Sequence, residues 1–396
     1  MAFRLQPKHL NSYIKYTGAH MNFDFTQQEQ KLFKEINDIM LEMDGEKNLE
    51  EKDPGNAGKT VREALIRLGN SFYLKLGIVK DEDIPGLCTL MGAMEIVSSF
   101  SQSLYLSVEM STRLFGRIIS TFGNKEQKKK WLSPVLCGKK LGSVALSEKT
   151  MNIDNDPMAT SGVRENGFIK ISGVKNYVIN GPVADFTAVA GTMENKPAFF
   201  IVEKGAKGLI PGEQLATMGY DGLFISGLTL DECRINECEV IGPFEDKSTF
   251  DTLRMWENQI IIGGSLGMMK ASFESAKAYA KTHKTGGKPI IAYQEVAFKL
   301  AEMLTLFQTS QLFAYRVAWA ADAKSRESEV LTYCAKVFCT EAAENVSGSA
   351  LRILSGEGYI SGNAAERAYR CAKYGQIAGT STEIARVKIG DAALGS

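Results

Sequence analysis

Between Ser248 and His283 the chain reads STFDTLRMWENQIIIGGSLGMMKASFESAKAYAKTH, with no proline. Ser248 followed by Asp251 is a capping-box-like helix start with a short acid in place of the usual Glu. The spacing predicts one helix long enough to cross a whole domain. From Ile260 to Met269 its residues are apolar or small on every side, and each of Gly263, Gly264 and Gly267 costs about 1 kcal/mol relative to alanine inside a helix. Such glycines imply that something packs very close. Glu257 shares a face with Ile260, Ile261, Gly264 and Met268, so its carboxylate heads a stripe that should be buried. A carboxylate there is either satisfied by an arginine or a backbone cap, or is a general base whose pKa is raised by a dry cavity.

The rest of the composition narrows the function classes. The 396 residues amount to two or three domains of chain, 44% hydrophobic and 23% charged, enough for a large core without staples. Lys+Arg and Asp+Glu both total 46, so no net field favours nucleic acid or an anionic membrane. Seven cysteines at irregular spacing suit reduced thiols in the cytoplasm better than a disulfide framework. With only His9, His20 and His283, and no histidine matched to Cys233/Cys238 or Cys334/Cys339, neither a zinc site nor a Ser/His/Asp triad is expected. No stretch has the roughly 18 uninterrupted apolar residues of a membrane span. Residues 1–20 carry Arg4, Lys8 and Lys15 but no acid and no apolar run, which reads as an extension or tag before a more natural start at Met21.

Three regions follow in order. Residues 21–140 are helical: Thr26 caps a helix to about 43, 44–58 form a polar loop, a helix follows Thr60, and 89–122 make one or two apolar helices. The charge run NKEQKKKWL (124–132) reads as a solvated helix face. At Leu141 the period changes to two, and strands are predicted over 168–181 (alternating around a Ser-Gly turn), 185–192, 198–204 and 223–235, giving a β-domain over 141–245. The helical period then returns through 288–322, 326–354 and 363–373, making 246–396 a helical bundle.

Taken in this order, FGNKEQKKKWLSPVLCGKKLG (122–142), ALSE (145–148), GVKNYVINGPVADF (173–186), GGSLGMMKASFESAKAYAKT, ILSGEGY (353–359) and QIAGTSTEIAR (376–386) resemble the acyl-CoA dehydrogenase family from about Phe25 to the C-terminus. The resemblance implies an α+β fold with an N-terminal helical domain, a β-barrel-like middle domain and a C-terminal four-helix bundle. It also implies a dimer-of-dimers tetramer, with FAD and an acyl-CoA thioester held where the domains meet. In the chemistry implied, a carboxylate takes the thioester α-proton, a β-hydride goes to the flavin, and electrons pass to an electron-transferring flavoprotein. The α-proton is weakly acidic, so the base must be desolvated and the enolate oxygen must meet donors.

Most of the family carries the base just before a Gly-Thr, where this chain has Gly379 or, slid by one, Ala378. A minority carries it on the long helix at a position matching Glu257, which makes Glu257 the candidate base and Glu383 its rival. The resemblance places Leu146, Ser147, Tyr177, Ile179, His283, Lys284, Gln294, Arg352, Gly356, Thr380 and Ser381 at the cofactor, and Asn258 and Gly379 at the substrate. Several of these depart from the pattern. Ile179 replaces a Thr that bonds the flavin N5 region, KTMNIDNDP (149–157) lacks the usual Gly-Ser-Asp turn, and Asn258 replaces an Arg. His283 stands for an Arg that meets the FAD pyrophosphate across the dimer, with Lys284 adjacent; Gly286-Gly287 replaces Phe-Gly, and Arg352 and Ser355-Gly356 replace a Gln and a Gly-Gly. Two pictures fit: a site rebuilt around retained FAD, with Arg352 as a phosphate ligand, or a degenerate subunit of a mixed tetramer. A redox-neutral acyl-CoA lyase on the same fold is a further alternative. Zero net charge argues against the family's nucleic-acid-associated relatives, and the ordered motifs against a bare helical scaffold. Phe100, Leu104, Met110 and Phe115 are the candidates for setting substrate size.

Overall fold

The computed structural model describes residues 24–46, 49, 54–79, 86–149, 158–246 and 248–395. The expected extension 1–20 and most of the 149–157 loop lie outside the described residues. Helix α1 (Gln27–Glu46) begins where Thr26 and Glu29 cap each other, the Glu29 N–H donating to Thr26 Oγ1 (3.3 Å) and the Thr26 N–H to Glu29 Oε2 (2.8 Å). Then come α2 (Pro54–Asn70), α3 (Leu87–Phe100) and α4 (Gln102–Glu109), which passes through a π-turn (Met110–Gly116) into α5 (Arg117–Phe122), followed by α6 (Lys125–Gln127) and α7 (Ser133–Leu136). The charge run is only partly a solvated face. Trp131 and Gln127 are buried, and Lys130 reaches Glu203 and Glu239 of the following sheet at 2.9 and 2.8 Å.

The middle region is one sheet built from β1 (Gly142–Ala145), β2 (Ser161–Glu165), β3 (Phe168–Ile179), β4 (Phe186–Met193), β5 (Lys196–Glu203), β6 (Leu209–Gln214), β7 (Ile225–Asn236) and β8 (Val240–Ile241). Its order is β6-β7-β3-β2-β4-β5-β8, with β1 parallel beside β4, and the sheet stays open because β6 and β8 end the path. The expected Ser-Gly turn is absent. Ser172 and Gly173 lie within one continuous strand, at a bulge between Ile171 and Gly173, where a Cβ on Gly173 would stand 2.3 Å from Thr160 Oγ1. A second irregularity, between Lys175 and Val178, leaves Tyr177 at φ +56°.

The long helix α8 (Ser248–Thr282) is followed by a hairpin, β9 (Lys284–Thr285) and β10 (Lys288–Pro289), turned by Gly286 and Gly287 at φ +60° and +82°. The next helix therefore starts later than the pattern predicted, at Gln294: α9 (Gln294–Asp322), then α10 (Ser328–Leu354), α11 (Gly356–Tyr359), α12 (Ala364–Ile377) and α13 (Thr382–Leu394). α8 packs between α3 and α10, and its glycines mark the contact. A Cβ on Gly263 would lie 2.8 Å from Met94 Cβ, and one on Gly267 2.6 Å from the Ser98 carbonyl carbon. The Tyr105 ring covers Gly264, and its hydroxyl donates to the Ile260 carbonyl at 2.6 Å. Of the four predicted size-setting residues, Phe115 turns away to stack on Phe186 of the sheet, with ring centroids 6.3 Å apart. Met94, Ser98 and Tyr105 all press side chains on the glycine face.

Candidate active site

The buried stripe on α8 forms as the spacing predicts: Ile260, Ile261, Gly264 and Met268 are buried, and Glu257 is half-buried at its head. Opposite stands the turn between α12 and α13. Ile261 meets that turn from below, since Cβ atoms on Gly375 and Gly379 would lie 3.4 and 3.1 Å from its side chain. Burial raises the Glu257 pKa, against the opposing pull of Arg254, Lys336 and the Gly379 backbone N–H. The Tyr374 hydroxyl, also pushed up by burial and by Glu257, closes this side. A half-buried glutamate whose carboxylate has no ion-pair partner within 4 Å among the described residues can exchange a proton with a small group brought to it.

The position where most of the family keeps its base is closed here. Gly379 sits at φ +63°, and a Cβ on it would be 2.6 Å from Asn258 Oδ1. Asn258 is engaged with the same turn, its Oδ1 accepting from the Thr380 N–H (3.0 Å) and its Nδ2 donating to Thr380 Oγ1 (3.1 Å). Arg254 Nη1 donates to the Gly379 carbonyl at 3.2 Å. Ser381 caps α13, its hydroxyl accepting from the Ile384 N–H. Glu383, the rival base, is fully exposed in the first turn of α13, and its own N–H and neighbouring hydroxyls lower its pKa. Glu257 and the 378–381 turn form one constellation; Glu383 stands outside it.

A second group surrounds Tyr177, which is 69% exposed on its bulge. Just beneath, the fully buried Lys175 ammonium pairs with Glu148 at 2.6 Å and donates to the Leu146 carbonyl at 3.1 Å, while the Asn176 N–H donates to the Ser147 carbonyl. Glu148 also accepts from the Thr160 hydroxyl and N–H. These bonds fix the backbone of 146–148 against an exposed aromatic ring, an arrangement that suits a planar ligand with polar edges. Ile179 does not face it; the side chain is 7% exposed and packs into the core. The Lys175–Glu148 pair was missed from sequence, although Lys175 lies two residues before Tyr177.

The third group lies elsewhere. Gln294 and Arg352 line one open cavity of about 600 Å³ with Thr285, Tyr293 and Lys299. His283 and Lys284 are exposed at the end of α8, His283 stacking on Tyr279, and Gly356 starts α11 on the surface. Glu257 and His283 are separated by about 39 Å along the helix at 1.5 Å per residue. Among the described residues no cluster of His, Cys, Asp and Glu suits a metal ion, and no helix is long and apolar enough to cross a membrane.

Comparison with known proteins gives this fold its class. Residues 76–139 match the N-terminal domain of acyl-CoA dehydrogenases and residues 252–394 the C-terminal domain. The chain is 31% identical to benzylmalonyl-CoA dehydrogenase of Aromatoleum aromaticum over 75% of its own length and 80% of that protein's. It is 30% identical to the mitochondrial short-chain specific acyl-CoA dehydrogenase of Sus scrofa over 75% and 73%. Among solved structures it superposes on butyryl-CoA dehydrogenase of Megasphaera elsdenii with a TM-score of 0.83, at 24% identity, covering 94% of this chain and all of the other. The chain belongs to the acyl-CoA dehydrogenase family, oxidoreductases that act on CH–CH groups with FAD as cofactor.

Proposed function

We propose that the protein catalyses FAD-dependent α,β-dehydrogenation of an acyl-CoA thioester with Glu257 as the α-proton base. The observation that carries this reading is the exchange of roles at the 378–381 turn. Gly379, where a Cβ would meet Asn258 Oδ1 at 2.6 Å, offers only backbone, and its N–H favours the charged form of the Glu257 carboxylate. Desolvation makes Glu257 a stronger base than an exposed acid would be, while the Gly379 N–H and the positive field of Arg254 and Lys336 hold its orientation and its charge.

The residues around Tyr177 fit a flavin. The exposed ring offers a stacking face and the pinned 146–148 backbone offers polar edges, whereas the aliphatic Ile179 packs into the core and offers no side-chain donor. FAD supplies the hydride acceptor for the β-carbon; the chain binds the acyl thioester, takes its α-proton at the Glu257 carboxylate and keeps water from that face. The cavity of Gln294 and Arg352 can hold phosphate, Arg352 through its two-pronged guanidinium. About 39 Å of helix separates that end from Glu257, so this cavity would serve the cofactor of a second subunit, which supports a homotetramer or mixed tetramer. An electron-transferring flavoprotein would reoxidise the cofactor.

Glu257→Gln tests the assignment. Loss of acyl-CoA-dependent flavin bleaching with flavin content retained is expected, and unchanged bleaching would move the base to Glu383 or a water. The second reading, a degenerate partner subunit, rests on the buried Ile179. A colourless protein that takes up no added FAD would favour it.

A further inference from the structure

Lys336, on α10, is completely buried yet makes no ion pair within 4 Å among the described residues. Its ammonium donates to the Thr380 carbonyl and lies 3.5 Å from the Gln376 carbonyl, so it spans the end of α12 and the turn before α13. The same turn is gripped from the other side by Asn258 and Arg254 of α8. Between the two grips lies Gly379, whose backbone N–H, with Arg254 and Lys336, acts against burial to favour the ionised Glu257. A buried ammonium is costly, and a neutral side chain of similar length would fill this space without that cost. The position of the charge therefore calls for a use.

We propose that Lys336 is a positioning residue for the base: held on the carbonyls of the 376–380 turn, it fixes the Gly379 N–H against Glu257 and supplies the positive field that keeps the Glu257 carboxylate ionised in a dry site. This inference rests on Glu257 being the base. Glu257 from α8 and Glu383 from α13 are the charged groups that act on Lys336; Arg254, Lys336 and Tyr374 are those around Glu257. Burial lowers the Lys336 pKa to about 8, so its charge is lost just above neutral pH. Proton abstraction should then rise as Glu257 loses its proton and fall again as Lys336 loses its own.

The test compares Lys336→Met and Lys336→Arg with the parent holoenzyme. Two readouts are used: flavin bleaching by acyl-CoA across pH, and an infrared titration of the Glu257 carboxyl, its band identified by its absence in Glu257→Gln. In Lys336→Met the Glu257 titration should move to higher pH, the acid limb of the bleaching profile should move with it, and the alkaline limb should vanish. Lys336→Arg should keep the charge and restore most of the rate. An unmoved Glu257 titration in Lys336→Met would overturn the proposal. If Lys336→Met fails to fold, Lys336→Arg decides: its alkaline limb must disappear, because arginine stays charged, and a persistent limb would overturn the assignment. Should Glu257→Gln bleach normally, the base assignment itself has failed, whatever the lysine variants do.

Discussion

Glu109 and Glu257 are both glutamates on helices whose pKa values burial raises, and they face opposite fates. Glu109 lies where α4 runs into its π-turn, with no exposure, accepting from the Tyr73 hydroxyl at 2.7 Å. Arg113 stands beside it at 3.5 Å and stacks over the Tyr73 ring, though Glu109 Oε2 and Arg113 Nε have no hydrogen-bond partner among the described residues. Glu257 has no such cage among the described residues: a backbone N–H and two positive charges act on it, and the residue is only half-buried. Burial alone raises proton affinity; access turns that affinity into chemistry. A sealed carboxylate holds a domain together, and an open one can trade its proton.

The contrast breaks most sharply on substitution. Glu257→Gln should slow α-proton abstraction by roughly 10³-fold, within the usual range for removing a general base, as measured by stopped-flow bleaching with flavin content unchanged. Glu109→Ala should instead cost about 3–5 kcal/mol of stability by stranding the Arg113 charge, read from chemical denaturation, while folded enzyme keeps its bleaching rate. Equal rate losses in the two variants would erase the distinction.

Gly379→Glu in the Glu257→Gln background asks whether the usual base position is only vacant or truly closed. The left-handed backbone and the Asn258 contact predict no rescue and a cost of about 1–3 kcal/mol; recovered bleaching would show that the turn can yield. The smallest effect concerns pH. Because the Glu257 pKa is raised on folding, the native state holds its proton more tightly than the unfolded chain, so this group's stabilisation is complete below the ordinary carboxylate pKa and fades as pH rises through the folded value. Glu257→Gln should remove that slope and melt slightly higher at neutral pH. A lower melting temperature there would mean that the ionised carboxylate is structurally needed.

Much of this was legible before any coordinates. The helix over 248–282, its glycine face, the buried stripe under Glu257 and the switch from period 3.6 to 2 at Leu141 all follow from local spacing and appear as read. Misreadings arose where a local signal met a distant contact. Ser172-Gly173 resembles a turn but serves as a bulge because Thr160 crowds it, and Lys130 in a charge run is drawn to two sheet carboxylates. Phe115 faces the sheet rather than α8.

The amino-acid order by itself determined the succession of helices, strands and helices, the lack of a side-chain base at 378 or 379, and the face on which Glu257 lies, because periodicity and residue chemistry are properties of neighbouring positions. Only the tertiary structure decided that Asn258 closes the Gly379 position, that Ile179 turns into the core, and that Lys175 and Lys336 are buried ammoniums with opposite partners, one carboxylate and two carbonyls. A lysine in a helix or strand reads as a surface residue until its surroundings are known. Solvation and field depend on which segments, scores of residues apart in the chain, meet around it, and no window of sequence contains them.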